Sequence, residues 1–323
     1  MQLRMGEVWY SRFVKTRKTK PQYRIRNWQH YNSALTSRGS LTLWADQKAI
    51  DQWLCASKPD RRGRPLKYTD LAIQCCLLLR QVFHLPLRQT QGLTRSIFRL
   101  LHSDLPAPHY SLLSRRARQL KLVLTSPSKK PIRHLVFDAS GLKVFGEGEW
   151  KVRTHGQDYR RRWRKLHIGL DADSQQLVVA LLTDADVVDP RTLPRQLKQV
   201  DASVERVYGD GAYDSRACYR AIHQRGARAI IPPRSGSRRW QDEYLKDRNR
   251  NLRGIEKHGV KGWKKRSGYH RRSLVETAFF RLKTIFSERL RSRRDDTQAA
   301  EAVIRCMALN RMTSLGLPDS YRI

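Results

Sequence analysis

Three acidic residues stand where a carboxylate could act on phosphate. Asp138 directly follows the apolar run Leu135-Val136-Phe137 and precedes Ala139-Ser140-Gly141, a setting that places it where a buried strand exits its sheet. Asp210 has the same setting after Val204–Tyr208, between Gly209 and Gly211. In open α/β sheets that edge is where ligands bind. Two carboxylates brought together there repel each other unless a divalent cation neutralises them, and Mg²⁺ favours a few carboxylates plus substrate phosphate oxygens. Each aspartate is also readable as a turn former.

The third acid is Glu276, in Tyr269-His270-Arg271-Arg272-Ser273-Leu274-Val275-Glu276, where Val275, Phe279, Leu282 and Phe286 fall on one helical stripe. On a helix, Arg272 and Lys283 share a face with Glu276 beside that stripe. A carboxylate flanked by two cations can bind metal while the cations bind phosphates. In the competing reading Ser273 caps the helix and Glu276 closes a capping box on the Ser273 amide, which leaves Tyr269 and Arg272 ahead of the helix and still within reach of phosphate.

The elements that must position these acids read as α/β material. Short apolar runs at Leu135–Phe137, Leu177–Leu182, Val204–Tyr208 and Ala229–Ile231 are separated by turns and one helix-like stretch. Asp171-Ala172-Asp173-Ser174 reads as a hairpin turn, so its acids are turn formers rather than ligands. Upstream of Lys129-Lys130-Pro131 the pattern is helical. Leu71, Cys75, Leu78 and Val82 mark one face of a helix over Thr69–Phe83, and further helices are predicted over Leu87–Leu101 and Tyr110–Lys121. This is compatible with a helix-turn-helix whose last helix carries Arg115, Arg116, Arg118, Gln119 and Lys121 toward a major groove, or with a basic solvated face of a bundle. Arg62 and Arg64, in Arg62-Gly63-Arg64-Pro65, form a cationic turn suited to a narrow minor groove.

Charge points to the partner. The 323 residues hold 65 Lys and Arg against 29 Asp and Glu, a net +36, and positions 1–130 alone carry 25 against 6. Self-repulsion on that scale opposes compaction unless a polyanion neutralises it, so nucleic acid is the default partner and a membrane surface the weaker one. No apolar stretch approaches a membrane span, since even Leu71–Leu79 is interrupted by Gln74. No signal-peptide core is legible, and the five cysteines lack Cys-x-x-Cys spacing, so they read as reduced thiols of a cytosolic protein. Positions 1–22, with Lys15, Arg17, Lys18 and Lys20, read as a basic arm, either a solvated tail or a DNA contact. Arg160, Arg161, Arg162, Arg164 and Lys165 surround Trp163, a cluster suited to phosphates and an unpaired base unless the tryptophan packs into the core. His134, His155 and His167 make no convincing metal set at their spacing and read as structural.

The strings Asp138-Ala139-Ser140-Gly141-Leu142-Lys143-Val144-Phe145-Gly146-Glu147-Gly148-Glu149-Trp150, Gly209-Asp210-Gly211-Ala212-Tyr213-Asp214 and Tyr269–Glu276 together resemble a bacterial insertion-sequence DDE transposase. The likeness is to the IS-five family, IS-nine-hundred-three branch, and runs from about Tyr23 to Ile323. Tyr269, Arg272, Glu276 and Lys283 match that family's Tyr-x2-Arg-x3-Glu-x6-Lys pattern at all four positions. The resemblance implies a ribonuclease H-like core on which Asp138, Asp210 and Glu276 are the catalytic and metal-holding triad, with Tyr269, Arg272 and Lys283 contacting the transposon end. It implies two Mg²⁺ ions roughly 3.5–4 Å apart, with Mn²⁺ not distinguishable, that activate water for phosphodiester hydrolysis before the freed 3′-hydroxyl attacks target DNA.

The expected organisation is thus a basic arm over 1–22, a helical DNA-binding domain over 23–130 and a catalytic domain over 131–323. An inserted basic segment over about 217–265 carries Arg234–Arg239, Trp240 and Lys264–Arg266 toward DNA. The expected partners are double-stranded DNA, as terminal inverted repeats and as target, and a second copy of the chain on paired ends, in the bacterial cytosol. The rivals are a DNA-binding regulator or inactive relict, and a nuclease that only hydrolyses.

Overall fold

The computed structural model describes residues 22–45, 47–55, 65–124, 130–144 and 163–323. The basic arm apart from Gln22, the Arg62 and Arg64 turn, Arg161, Arg162 and His155 lie outside these residues.

A mixed sheet forms the centre of an α/β fold. Its middle strand, β2 (Ile132–Val144), pairs antiparallel with β3 (Trp163–Asp171), which pairs antiparallel with β4 (Leu177–Asp184). On its other side β2 pairs in parallel with β5 (Val204–Tyr208), and β5 with β6 (Arg228–Ile230). The β3–β4 hairpin turns through the expected tetrad, where Asp171 accepts from the Asp173 amide at 3.1 Å and from the Ser174 hydroxyl at 2.6 Å. A short strand, β7 (Arg289–Leu290), pairs in parallel with the far end of β2 at Lys143 and Val144. Among the described residues, the β2 edge between Val136, opposite Tyr208, and Lys143, opposite Arg289, therefore has no neighbouring strand. That opening matters below.

Strand alternation splits the core into two. Leu135 and Phe137 face α7 (Asp189–Leu197) and α8 (Arg216–Gln224), packing with Leu193, Leu197, Tyr219 and Ile222. Val136 and Leu142 face the opposite layer, α10 (Ser273–Phe286) and α11 (Asp295–Leu315), and this second cluster continues without a break into the N-terminal helices. Those are α2 (Leu41–Trp44), α3 (Gln47–Asp51), α4 (Asp70–Val82), α5 (Leu87–Leu100) and α6 (Tyr110–Arg116), while α1 (Trp28–Ser37) packs against α11 outside that cluster. Helices α2 to α6 thus share a core with the sheet. The first and last described strands also meet, because β1 (Tyr23–Ile25) pairs antiparallel with β8 (Ser320–Arg322). Among the described residues no helix is long and apolar enough to cross a membrane.

The three helices expected between Thr69 and Lys121 are present, with differences. Thr69 caps α4 by accepting from the Ala72 amide at 3.1 Å. Burial of α4 extends around the helix, including Ile73, Cys76, Leu77 and Leu79, because α5, α6 and α11 enclose it. Nine residues link α5 to α6, longer than the three or four of a tight helix-turn-helix turn. The last helix ends at Arg116, so Arg118 and Lys121 follow it, exposed like Arg115. Arg116 departs from its expected place on a DNA-facing surface. It is 5% exposed and turns inward, donating to the Tyr68 carbonyl at 3.0 Å and to Asp70 at 2.5 Å.

His134 and His167 are structural, as read. His134 Nδ1 meets the Tyr208 hydroxyl at 3.0 Å. His167 is fully buried between the hydroxyls of Thr183, at 2.9 Å, and Thr192, at 3.3 Å. Burial pushes its pKa down from near 6.5 to about 4, against the pull of Asp189. The unfolded chain then binds the proton first, so this contribution is fully present above about pH 6.5 and is lost as pH falls toward 4. Urea unfolding of wild type and His167→Asn between pH 7.5 and 4.5 should differ by a loss approaching about 3 kcal/mol in wild type, read as the difference because the raised Asp138 carboxyl acts with the opposite sign in both. An unchanged profile in that variant would place the acid sensitivity elsewhere.

Candidate active site

Asp138 and Asp210 are brought together by register. Val136 lies opposite Tyr208 in the parallel β2–β5 pair, so two steps further along each chain the aspartates sit side by side where β5 has ended. Asp138 itself does not exit the sheet as expected. It lies in the middle of β2, still paired with Ile168 of β3, and it is the neighbour β5 that departs and leaves its carboxylate open. Asp138 Oδ1 accepts from the Ala139 amide at 2.9 Å. Burial pushes its carboxyl up to about 6, against the pull of that amide and of Arg272.

Asp210 heads a single 3-10 turn, Gly211–Tyr213, and accepts from the Ala212 amide at 2.9 Å. The turn needs a glycine at 209, since a Cβ there would stand 2.8 Å from the Tyr213 ring. The loop is braced from behind by a pair that the charge pattern did not reveal. Asp214 receives a two-pronged contact from Arg248, at 2.8 and 3.3 Å, and the Arg234 amide at 3.1 Å. Arg248 is 1% exposed and lies 3.6 Å from the centroid of the Trp240 ring. Trp240, expected at DNA, is therefore occupied between Arg248 and Arg216. The only signal in the sequence was the second acid of Gly209–Asp214.

The third acid arrives on α10. The preceding helix α9 (Lys246–Ser267), interrupted at Gly259, ends on Gly268 in the left-handed region at φ 69°. That residue swings the chain into the 3-10 turn Tyr269–Arg272, which runs directly into α10. Here the capping box does not form. The Ser273 hydroxyl donates instead to the His270 carbonyl at 2.9 Å, and Glu276 accepts from Arg272. Arg272 reaches back across the site to Asp138 at 3.2 Å, so one guanidinium spans two of the three acids. Tyr269 packs on Trp263 with ring centroids 5.2 Å apart, and burial raises its phenol to about 12. Lys283 donates to the Ser140 hydroxyl at 2.7 Å, two residues along the same face of β2 from Asp138.

The six residues with the most specific sequence pattern thus gather along the open edge of β2. Arg115, Arg118 and Lys121 do not join them, and the charge of Arg118 acts on Asp296 instead. Trp163 opens β3 with 39% exposure, outside the core, its ring centroid 5.6 Å from Lys143 Nζ.

The donors suit a hard divalent cation. All are carboxylates, two are adjacent, and Asp138 is desolvated without a full counter-charge. A cation already stands between Asp138 and Glu276 in the form of Arg272. Among the described residues, no three acidic, histidine or cysteine side chains converge closely enough to enclose an ion as they stand.

Comparison with known proteins identifies the family. A family profile described as "Transposase DDE domain" matches residues 129–311, which include all three acids, and a second profile of that description matches residues 36–147. Among solved structures, the chain is similar to a piggyBac transposase synaptic complex with hairpin DNA, at 11% identity and TM-score 0.41, over 85% of this chain and 75% of that one. It is also similar to a Mos1 transposase paired-end complex with the left transposon end, at 12% identity and TM-score 0.23, over 80% of this chain and 81% of that one.

Proposed function

Because this chain belongs to the transposase DDE domain family, and so is an enzyme of DNA transposition, we propose that it binds the ends of an insertion element, cleaves them by hydrolysis and joins the 3′-hydroxyl ends to target DNA. The finer placement is the IS-five family, IS-nine-hundred-three branch, on a ribonuclease H-like core. The observation that carries this reading is the register that sets Asp138 beside Asp210, with Glu276 held across the same opening through Arg272.

The family implies a divalent metal, and Asp138, Asp210 and Glu276 would hold it, with Mg²⁺ the first choice and Mn²⁺ an alternative. When bound it supplies charge neutralisation at the phosphodiester and polarisation of the attacking water. The remaining work falls to the chain's own side chains. Arg272 is placed to move a hydrogen bond from Glu276 to a phosphate oxygen, and Lys283 and the Tyr269 phenol flank the same opening. The gap left by β5 admits the scissile phosphate from one side, while β3 and the helices behind the sheet exclude water from the other. Exposed Arg115, Arg118 and Lys121, together with Trp163, extend the surface to flanking DNA. Two paired ends call for at least a dimer.

The test is strand transfer on a duplex carrying the element's own end. Joined products should require divalent metal and vanish in Glu276→Gln, while end binding persists and weakens with salt. Wild-type protein that binds the end but neither cuts nor joins it would favour a DNA-binding relict, and nicking without joining would favour a plain nuclease.

A further inference from the structure

The apolar stripe of α10 accounts for Val275, Phe279, Leu282 and Phe286, all buried in the core shared with the sheet. Phe280 stands apart from it. It is 70% exposed, the most exposed aromatic side chain among the described residues. A single exposed apolar side chain needs no explanation in itself, but the place of this one does. Phe280 follows Glu276 by four residues and precedes Lys283 by three, so at 3.6 residues per turn the three stand on one side of the helix. Of these, Lys283 lies nearest the sheet and Phe280 furthest toward solvent.

Local geometry makes this ring part of the mouth of the site. Side chains on a helix lean toward its N-terminus, which carries the Phe280 ring over the turn that holds Glu276. Its neighbours on the helix surface, three and four residues away, are Glu276, Thr277, Lys283 and Thr284. The threonines are too short to cover a phenyl face. The two long neighbours are engaged elsewhere, Lys283 on Ser140 at 2.7 Å and Glu276 on Arg272. Exposure rises in the same direction, from Asp138, mostly buried, through Glu276, half exposed, to Phe280.

A phosphate at the three acids brings its own bases toward that ring. Neighbours four apart on a helix have Cβ atoms about 5–6 Å apart, and a DNA strand advances about 3.4 Å per nucleotide, so Phe280 stands within one or two nucleotides of a phosphate at Glu276. A phenyl ring offers phosphate no hydrogen bond, and what DNA offers the ring is the flat face of a base. Inside a duplex those faces are covered by their neighbours, whereas a cut bares one. We propose that Phe280 stacks on the face of the base adjoining the scissile phosphate and so holds the end in register with the acids. The proposal rests on the end-cleavage reading above, and it gives a substrate contact to a residue outside the Tyr269, Arg272, Glu276 and Lys283 pattern. The base belongs either to the last nucleotide of the element or to the first flanking one.

The experiment uses the full chain and a duplex carrying the element's own end, either intact or with an abasic site at the last element nucleotide or at the first flanking one. Single-turnover cleavage in Mg²⁺ is measured for wild type, Phe280→Ala, Phe280→Leu and Phe280→Tyr. On the intact duplex the alanine and leucine variants should cleave about tenfold more slowly or worse, the scale of a lost base–aromatic stack, while the tyrosine variant, which keeps the ring, stays close to wild type. With the stacked base removed, wild type and Phe280→Ala should agree within about twofold, and the position at which they do so identifies the base. Independently of cleavage, 5-iodouracil at that position should photocrosslink to Phe280 in wild type and lose that crosslink in Phe280→Leu. Melting temperatures should be unchanged, because the ring is exposed. An equal loss on intact and both abasic duplexes, full activity in Phe280→Leu, or a change of oligomeric state in DNA-free Phe280→Ala overturns the proposal, the last by making the ring a contact between copies of the chain. Wild-type cleavage matched by Phe280→Ala overturns this proposal alone. If wild type does not cleave the end at all, the end-cleavage reading fails as well.

Discussion

Asp138→Asn should lower end cleavage and strand transfer about a thousand-fold or more while leaving end binding intact, because charge neutralisation at a phosphodiester supplies several kcal/mol and each 1.4 kcal/mol is a factor of ten. The substitution is nearly isosteric. The amide oxygen can still accept from the Ala139 amide, so the strand that carries it is undisturbed. What is lost is the negative charge beside Asp210 and one of the two acids spanned by Arg272. Single-turnover cleavage of a labelled end is the direct measurement, with circular dichroism and an end-binding titration as controls. Activity within about tenfold of wild type would remove Asp138 from the chemistry.

The largest effect on stability is expected at Asp214. Its carboxylate and the Arg248 guanidinium are almost fully buried, with side-chain exposures of 2% and 1%. Asp214→Ala leaves a buried, unpaired guanidinium and should cost about 3–5 kcal/mol, or roughly 4–7 °C in melting temperature for a chain of this size. The Asp210 loop loses its brace in the same step, so residual cleavage should fall with it at temperatures where the variant remains folded. A melting shift under about 2 °C would contradict the assignment of this pair as the support of the loop. Replacing both partners by apolar residues should restore much of the stability without the brace, and so separates the two roles.

These cases also show what the sequence reveals and where it falls silent. The acids were legible because apolar runs end beside them, and the Tyr269–Lys283 spacing is local to one turn and one helix. The position of Asp138 within β2 was not, because nothing in Leu135–Gly141 records that the neighbouring strand stops at Tyr208. The capping box is a sound local inference overridden by a distant partner. Arg272 pairs with Asp138, 134 residues away, and takes Glu276 with it. Basic clusters were the least legible of all, since an arginine facing solvent and one facing inward look alike in a sequence. Arg116 and Arg248 turn inward because Asp70 and Asp214 meet them in the fold. Likewise the all-round burial of α4 depends on α11, more than 200 residues downstream.

That last pairing sets an order of events during synthesis. At about 5–20 residues per second, α4 waits on the order of 10–50 s before α11 exists to cover it. Until then Leu77, Leu78 and Leu79 have no sheet-side partner, and the β1–β8 pair, nearly 300 residues apart in the chain, closes last. Such non-local closure is slow. The nascent N-terminal third, already dense in arginine and lysine, is thus held open beside the ribosome and its messenger RNA. Chaperone dependence during expression, relieved when residues 23–130 are synthesised after residues 131–323 in a circular permutant joined at the β1–β8 ends, is the behaviour this topology entails.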